Sequence, residues 1–152
     1  MPDQNLSATI KAIGRECGFQ AVAISDTGLD CQHQNYQQWI ERHYHGEMSY
    51  MARNIDKRLQ PKKLLPGTLS VISLRMDYHP HPDQDLTTLL DHPDKAYISR
   101  YALGRDYHKL IRKRLAQVAQ RIEAVIGSHG YRVFTDSAPV LEKALAQKAG
   151  LG

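Results

Sequence analysis

The sequence predicts an α/β (α+β) fold, a mixed β-sheet sandwiched by helices, as a single domain over residues 1–152. Three observations carry that expectation. Ile111, Leu115, Val118, Ile122 and Val125 recur with a three–four rhythm over residues 106–126, the signature of a long amphipathic helix. Residues 68–78 begin with Leu69, Val71, Ile72 and Leu74, apolar on nearly both faces, as an interior strand covered on both sides would be. Helix-period and strand-like segments alternate along the whole chain, punctuated by Gly, Pro and Asp.

The elements follow in order. Leu6, Ile10, Ile13 and Cys17, at steps of four, three and four, predict a first helix ending near Gly18, with a short strand at residues 19–24. DTGLDCQHQN is turn-rich; Tyr36, Trp39, Ile40 and His43 then trace a second helix that stops at Gly46, and GEMSYMARN predicts another short helix. RLQPKKLLPG, with two prolines and a final glycine, reads as an ordered loop feeding the strand at 68–78. HPHPDQDLTTLLDHPDK reads as a flexible excursion, and residues 96–101 return as a strand that Gly104 breaks before the long helix. Gly127 and Gly130 end that helix, a last strand is expected at 131–135, and Pro139 stands where a final helix begins.

Composition narrows the function. Lys and Arg number 20 against 16 Asp and Glu, a net charge of +4, which favours a polyanionic partner without identifying one. No apolar run approaches the roughly 18 residues of a membrane span, and MPDQNLSATIK lacks a secretory signal, so a cytoplasmic protein away from membranes is expected. Cys17 and Cys31 have no CxxC spacing and define neither a disulfide framework nor a metal site. GxGxxG, Walker and GxSxG motifs are absent from the sequence.

Two polar clusters stand where a strand runs into a helix. In the first, Ser99-Arg100-Tyr101 and Gly104-Arg105-Asp106-Tyr107-His108-Lys109 surround a helix N-terminus, a natural anion site, while Asp106 alternatively serves only as the cap. In the second, DSAPVLEK, Asp136 is a candidate general acid, because a carboxyl donates a proton near neutrality where its charged form is disfavoured. Alternatively, Asp136 or Ser137 caps the helix begun around Pro139. Lys57, Arg58, Lys62 and Lys63, with Lys109, Arg112, Lys113 and Arg121 on the long helix, form candidate phosphate-contacting edges. His43 with His45 and His79 with His81 invite a metal, but no third ligand has a recognisable spacing, so none is expected.

RLQPKKLLPGTLSVI, YISRYALGRDYHKLIRKRL, DSAPVLEKALA and QKAGLG together resemble the epoxyqueuosine reductase family of tRNA modification, and HGEMSYMARN is similar to that family's segment before the first basic loop. The resemblance implies a cobalamin-dependent reductase that converts epoxyqueuosine to queuosine at the wobble position of tRNA, fed by two iron–sulfur clusters of the 4Fe-4S type. By that resemblance Asp136 is the proton donor; Arg58, Ser99 and Asp136 line the cobalamin, Tyr107 and His108 border the same pocket, and Lys143 and Arg100 lie near substrate. With no cysteine after Cys31, the chain is read as the N-terminal cobalamin and substrate domain of a longer, monomeric enzyme, inactive without the iron–sulfur domain. Two other readings remain open, a tRNA-binding or interaction module without catalysis and a flavin-type reductase domain.

Overall fold

The computed structural model describes residues 4–78 and 86–151; for Gln4, Leu86, Thr87 and Arg100 it describes the backbone alone. The chain runs α1 (Gln4–Glu16), β1 (Ala21–Ser25), α2 (Asp30–Glu41), α3 (Ile55–Leu59), a 3-10 turn (Pro61–Lys63), β2 (Val71–Arg75), α4 (Leu86–Leu90), a second 3-10 turn (Arg100–Ala102), α5 (Tyr107–Ile126) and α6 (Glu142–Lys148).

β1 and β2 pair antiparallel, from Ala21 opposite Arg75 to Ser25 opposite Val71. Alternation along the strands sends Val22, Ile24, Ile72 and Leu74 to one face, where they meet Ile10 and Ile13 of α1 and Val118 and Ile122 of α5. Val71, on the other face, joins a second cluster with Leu29, Val140 and Leu145, and α6 packs against both strands there. Helices lie on both faces as expected, giving an α+β fold, but among the described residues the sheet is a two-stranded antiparallel pair rather than a mixed one, and Leu69, expected inside an interior strand, is 84% exposed ahead of β2.

α1 approaches β1 so closely that a Cβ on Gly14 would stand 2.6 Å from Val22 Cγ2. Its end is a Schellman cap: Gly18 N–H donates to the Arg15 carbonyl and Phe19 N–H to that of Gly14, with Gly18 at φ +88°. α5 covers that end, and Arg114 Nη1 donates to the Gly18 carbonyl at 3.1 Å.

Several expectations are corrected. The segments at 96–101 and 131–135 are irregular, and neither forms a strand among the described residues. Tyr97, Ile98, Tyr101 and Tyr131 are exposed, and although Phe134 and Thr135 turn inward, the β-favouring side chains of these segments find no neighbouring ladder. The turn-rich reading of DTGLDCQHQN ran too far: Asp26 Oδ1 accepts the Gly28 N–H at 2.7 Å, Leu29 plugs the second core, and α2 begins at Asp30. GEMSYMARN is a run of separate turns, interrupted by positive φ at Gly46 and Asn54, and the expected loop at 58–67 instead contains the end of α3 and a 3-10 turn opened by Pro61. The final helix starts at Glu142, three residues beyond Pro139. His79 and His81 lie outside the described residues.

Because Ile122 is 4% exposed at the meeting of α1, α5 and the sheet, Ile122→Ala is expected to cost about 3 kcal/mol in denaturant unfolding. Val125, expected in the same stripe, is 53% exposed, and Val125→Ala should change stability by less than about 0.5 kcal/mol.

Candidate active site

Asp136 follows Phe134, which packs into the second core, and the buried Thr135. The chain there turns abruptly: Ser137 N–H donates to the Thr135 carbonyl at 2.6 Å around Asp136, whose φ is +54°. This is the geometry of a γ-turn of the rarer, left-handed kind, which aspartate tolerates better than most residues.

The first turn of α5 meets the Asp136 side chain. The Tyr107 hydroxyl donates to Oδ2, and His108 Nε2 lies 3.3 Å from the same oxygen. The two rings stack at a centroid distance of 4.1 Å, and Tyr101 meets Tyr107 edge-on at 6.2 Å. Asp106 caps α5 by accepting the His108 N–H at 2.9 Å, and the same oxygen lies 2.8 Å from His108 Nδ1. The imidazole is thus held between two carboxylates. The hydrogen bonds from the His108 side chain and backbone hold the Asp106 carboxyl below its usual range. The hydrogen bond to Asp136 pushes the Tyr107 phenol up to about 12.

The turn itself is held from both sides. Arg112 Nη2 donates to Ser137 Oγ at 3.1 Å, and the Asp136 N–H donates to Glu142 Oε1 at 3.2 Å. Burial, and then the charge of Asp136, push the Glu142 carboxyl up. Asp136 does not cap α6, whose N-cap is Leu141 without a side-chain hydrogen bond.

A cleft of about 960 Å3 passes in front of this turn, lined by Arg58, Asp136, Glu142 and Lys143 with Tyr36 and Trp39 of α2. Arg58 is committed to the backbone, donating from Nη2 to the Tyr50 carbonyl at 3.0 Å and from Nε to that of Arg53 at 3.4 Å. Lys143 is exposed. Five predicted site residues therefore converge, Arg58, Asp136 and Lys143 on the cleft and Tyr107 and His108 on Asp136. Ser99 is exposed and is not among the cleft-lining residues, and the Arg100 side chain lies outside the described residues. Sequence reasoning missed Glu142 and the Arg112–Ser137 contact; the acidic residue in the first turn of α6 was the available signal for the former.

The sequence matches, over residues 58–137 and thus over more than half of the chain, the family described as "Epoxyqueuosine reductase QueG, DUF1730". The chain belongs to the epoxyqueuosine reductase family. Among its curated relatives, an epoxyqueuosine reductase of Pseudomonas aeruginosa is 60% identical over 97% of this chain and 40% of its own length. One of Salmonella typhimurium is 52% identical over 97% of this chain and 38% of its own. The solved epoxyqueuosine reductase of Streptococcus thermophilus superposes with a TM-score of 0.80 at 23% identity, over 98% of this chain and 40% of that one, and shares its fold. The chain thus spans about 40% of the length of the reductases it matches.

The hydrogen bond to Asp136 makes the folded chain bind the Tyr107 proton more tightly than the unfolded chain does. Its stabilising contribution is complete below the ordinary tyrosine value of 10.0 and is lost as pH rises through about 12. Carbon-13 NMR of the phenolic ring should place the Tyr107 midpoint near 12, and Asp136→Ala should return it toward 10.0.

Proposed function

We propose that the full-length protein reduces epoxyqueuosine in tRNA to queuosine with the aid of cobalamin, and that this chain supplies the acid. The observation that carries the reading is Asp136, presented on the cleft with Oδ2 held by Tyr107 and His108. Its Oδ1 has no hydrogen-bond partner among the described residues. Removal of the epoxide oxygen as water consumes two electrons and two protons, and opening the ring leaves an alkoxide-like oxygen. Oδ1 gives that oxygen the first of the two protons, and solvent water supplies the second as the oxygen leaves as water. As Oδ1 gives up its proton, negative charge spreads over the carboxylate, and the Tyr107 hydroxyl at Oδ2 stabilises it where it develops.

The cleft's chemistry suits a corrin. Its volume is that of a large ligand site, and Gln32, Asn35 and Gln147, with Arg58, give it amide and guanidinium groups that match an amide-fringed macrocycle. By family resemblance Arg58, Ser99, Asp136, Tyr107 and His108 would hold the cofactor; of these, Arg58 and Asp136 line the cleft and Tyr107 and His108 brace Asp136. Bound cobalamin supplies the electron chemistry, and we assign the two 4Fe-4S clusters to the part of the relatives that this chain does not span. The tRNA backbone would meet the exposed Lys109 and Lys113 on α5, near the site, and Lys143 at the cleft. We read the working location as the cytoplasm and the full-length enzyme as a monomer. No helix among the described residues is long and apolar enough to cross a membrane.

In the full-length enzyme, Asp136→Asn should lower kcat by at least about a hundredfold while tRNA affinity holds, measured by single-turnover conversion and a binding titration. Unchanged turnover would remove the acid from Asp136. Reversing Lys109 and Lys113 to Glu should weaken tRNA binding and lower the slope of log affinity against log salt by roughly 0.7–0.9 for each phosphate no longer neutralised.

A further inference from the structure

We infer that Glu142 is a positioning residue for the Asp136 acid: its carboxylate oxygen accepts the Asp136 N–H and fixes the left-handed turn that presents the side chain to Tyr107, His108 and the cleft. The inference rests on the acid role assigned to Asp136.

The turn is strained. A non-glycine residue at φ +54° in a three-residue hydrogen-bonded loop occupies a sparsely populated conformation that persists only where its surroundings over-determine it. The flanks are anchored, since Thr135 and Val140 are each 9% exposed. Those anchors fix the ends and leave the peptide planes around Asp136 to be set locally. Glu142 Oε1, 3.2 Å from the Asp136 nitrogen, is the acceptor that selects the orientation of the preceding plane. Arg112 adds a side-chain tether at the neighbouring Ser137 Oγ. Rotation of the turn to an ordinary negative φ would swing the Asp136 Cβ away from α5 and break both contacts at Oδ2.

Glu142, in the first turn of α6, suits the helix dipole, but that does not account for its reach back to the Asp136 N–H. It forms no ion pair among the described residues and does not cap its own helix. A half-buried carboxyl without a cation is a cost to the folded state. Leu145, 1% exposed, anchors α6 so that its first residue returns to the turn six positions upstream. What matters in this arrangement is an acceptor oxygen at that point, and a neutral amide provides one.

Glu142→Gln and Glu142→Leu in the full-length enzyme separate this role from charge and from bulk. The Gln variant should keep kcat within about twofold, because its carbonyl oxygen replaces Oε1. The Leu variant should lose roughly ten- to a hundredfold in kcat with KM moving less than about threefold, since substrate still binds but the acid is misplaced. Hydrogen–deuterium exchange of a peptide spanning residues 134–140 supplies a readout independent of turnover, with faster exchange expected in the Leu variant only. Should the Leu variant fail to fold, Glu142→Ala, with a side chain of high helix propensity, takes its place in both measurements. Wild-type turnover and exchange in the Leu or Ala variant would overturn the inference, as would a Gln variant that folds and is as slow as Leu. Asp136→Asn run in parallel keeps the two claims apart: if it retains turnover, the acid assignment fails; if it is inactive while Glu142→Leu is fully active, only the positioning role fails.

Discussion

The burial of α5 governs the arrangement of this chain. Val118 and Ile122, in the second half of the helix, are sealed against α1 and the sheet, and Arg114 and Arg121 tie its flank to the Gly18 carbonyl and to Glu16. A helix is stiff over this length, so the packing that fixes Val118 also fixes the first turn about 16 Å away. That turn holds Asp106, Tyr107 and His108. The side chains that grip Asp136 are therefore positioned by a hydrophobic core in which none of them takes part.

Asp136 arrives from the opposite direction, on a segment without regular structure between two anchors in the second core, Phe134 and Val140. A non-glycine residue in the left-handed region costs of order 1–3 kcal/mol. Three hydrogen bonds reach the turn, from Tyr107, Arg112 and Glu142, each contributing about 0.5–1.5 kcal/mol, and His108 Nε2 lies beside Oδ2. The two sides are comparable, so the conformation is held by its contacts rather than by local preference. Exposure of the site trims the contribution of each polar contact, which explains why several converge on one short turn.

What the sequence revealed and what it concealed divide along the same line. α1 and α5 were legible because each buries a periodic face, with ends marked by Gly18, Asp106 and Gly127, and β2 because its apolar run Val71, Ile72 and Leu74 meets core on both sides of the sheet. Residues 96–101 and 131–135 carry β-favouring side chains, yet a strand is defined by its partner, and no local pattern discloses that the partner is missing from the described fold. Asp136, Tyr107, His108 and Arg58 stood out in the residues themselves, and their roles, with that of Lys143, came from resemblance; their convergence is a tertiary fact that spacing alone did not contain. Glu142 stayed hidden for a backbone reason: its contact with Asp136 depends on a positive φ at an aspartate, where glycine would have advertised the turn and aspartate does not.

The Tyr107 phenol also divides the roles within the site. Pushed up to about 12 by its bond to Asp136, it remains a hydroxyl at every physiological pH and always has a proton to offer to Oδ2. A group so held makes a dependable hydrogen-bond donor and a poor proton source. Oδ2 is thereby permanently engaged, while Oδ1 meets no donor among the described residues, and the two oxygens of a chemically symmetric carboxylate become distinct. Under the acid role proposed for Asp136, the proton that moves is the one on Oδ1. Tyr107, stacked on His108 and abutted by Tyr101, enforces that asymmetry without changing its own charge state.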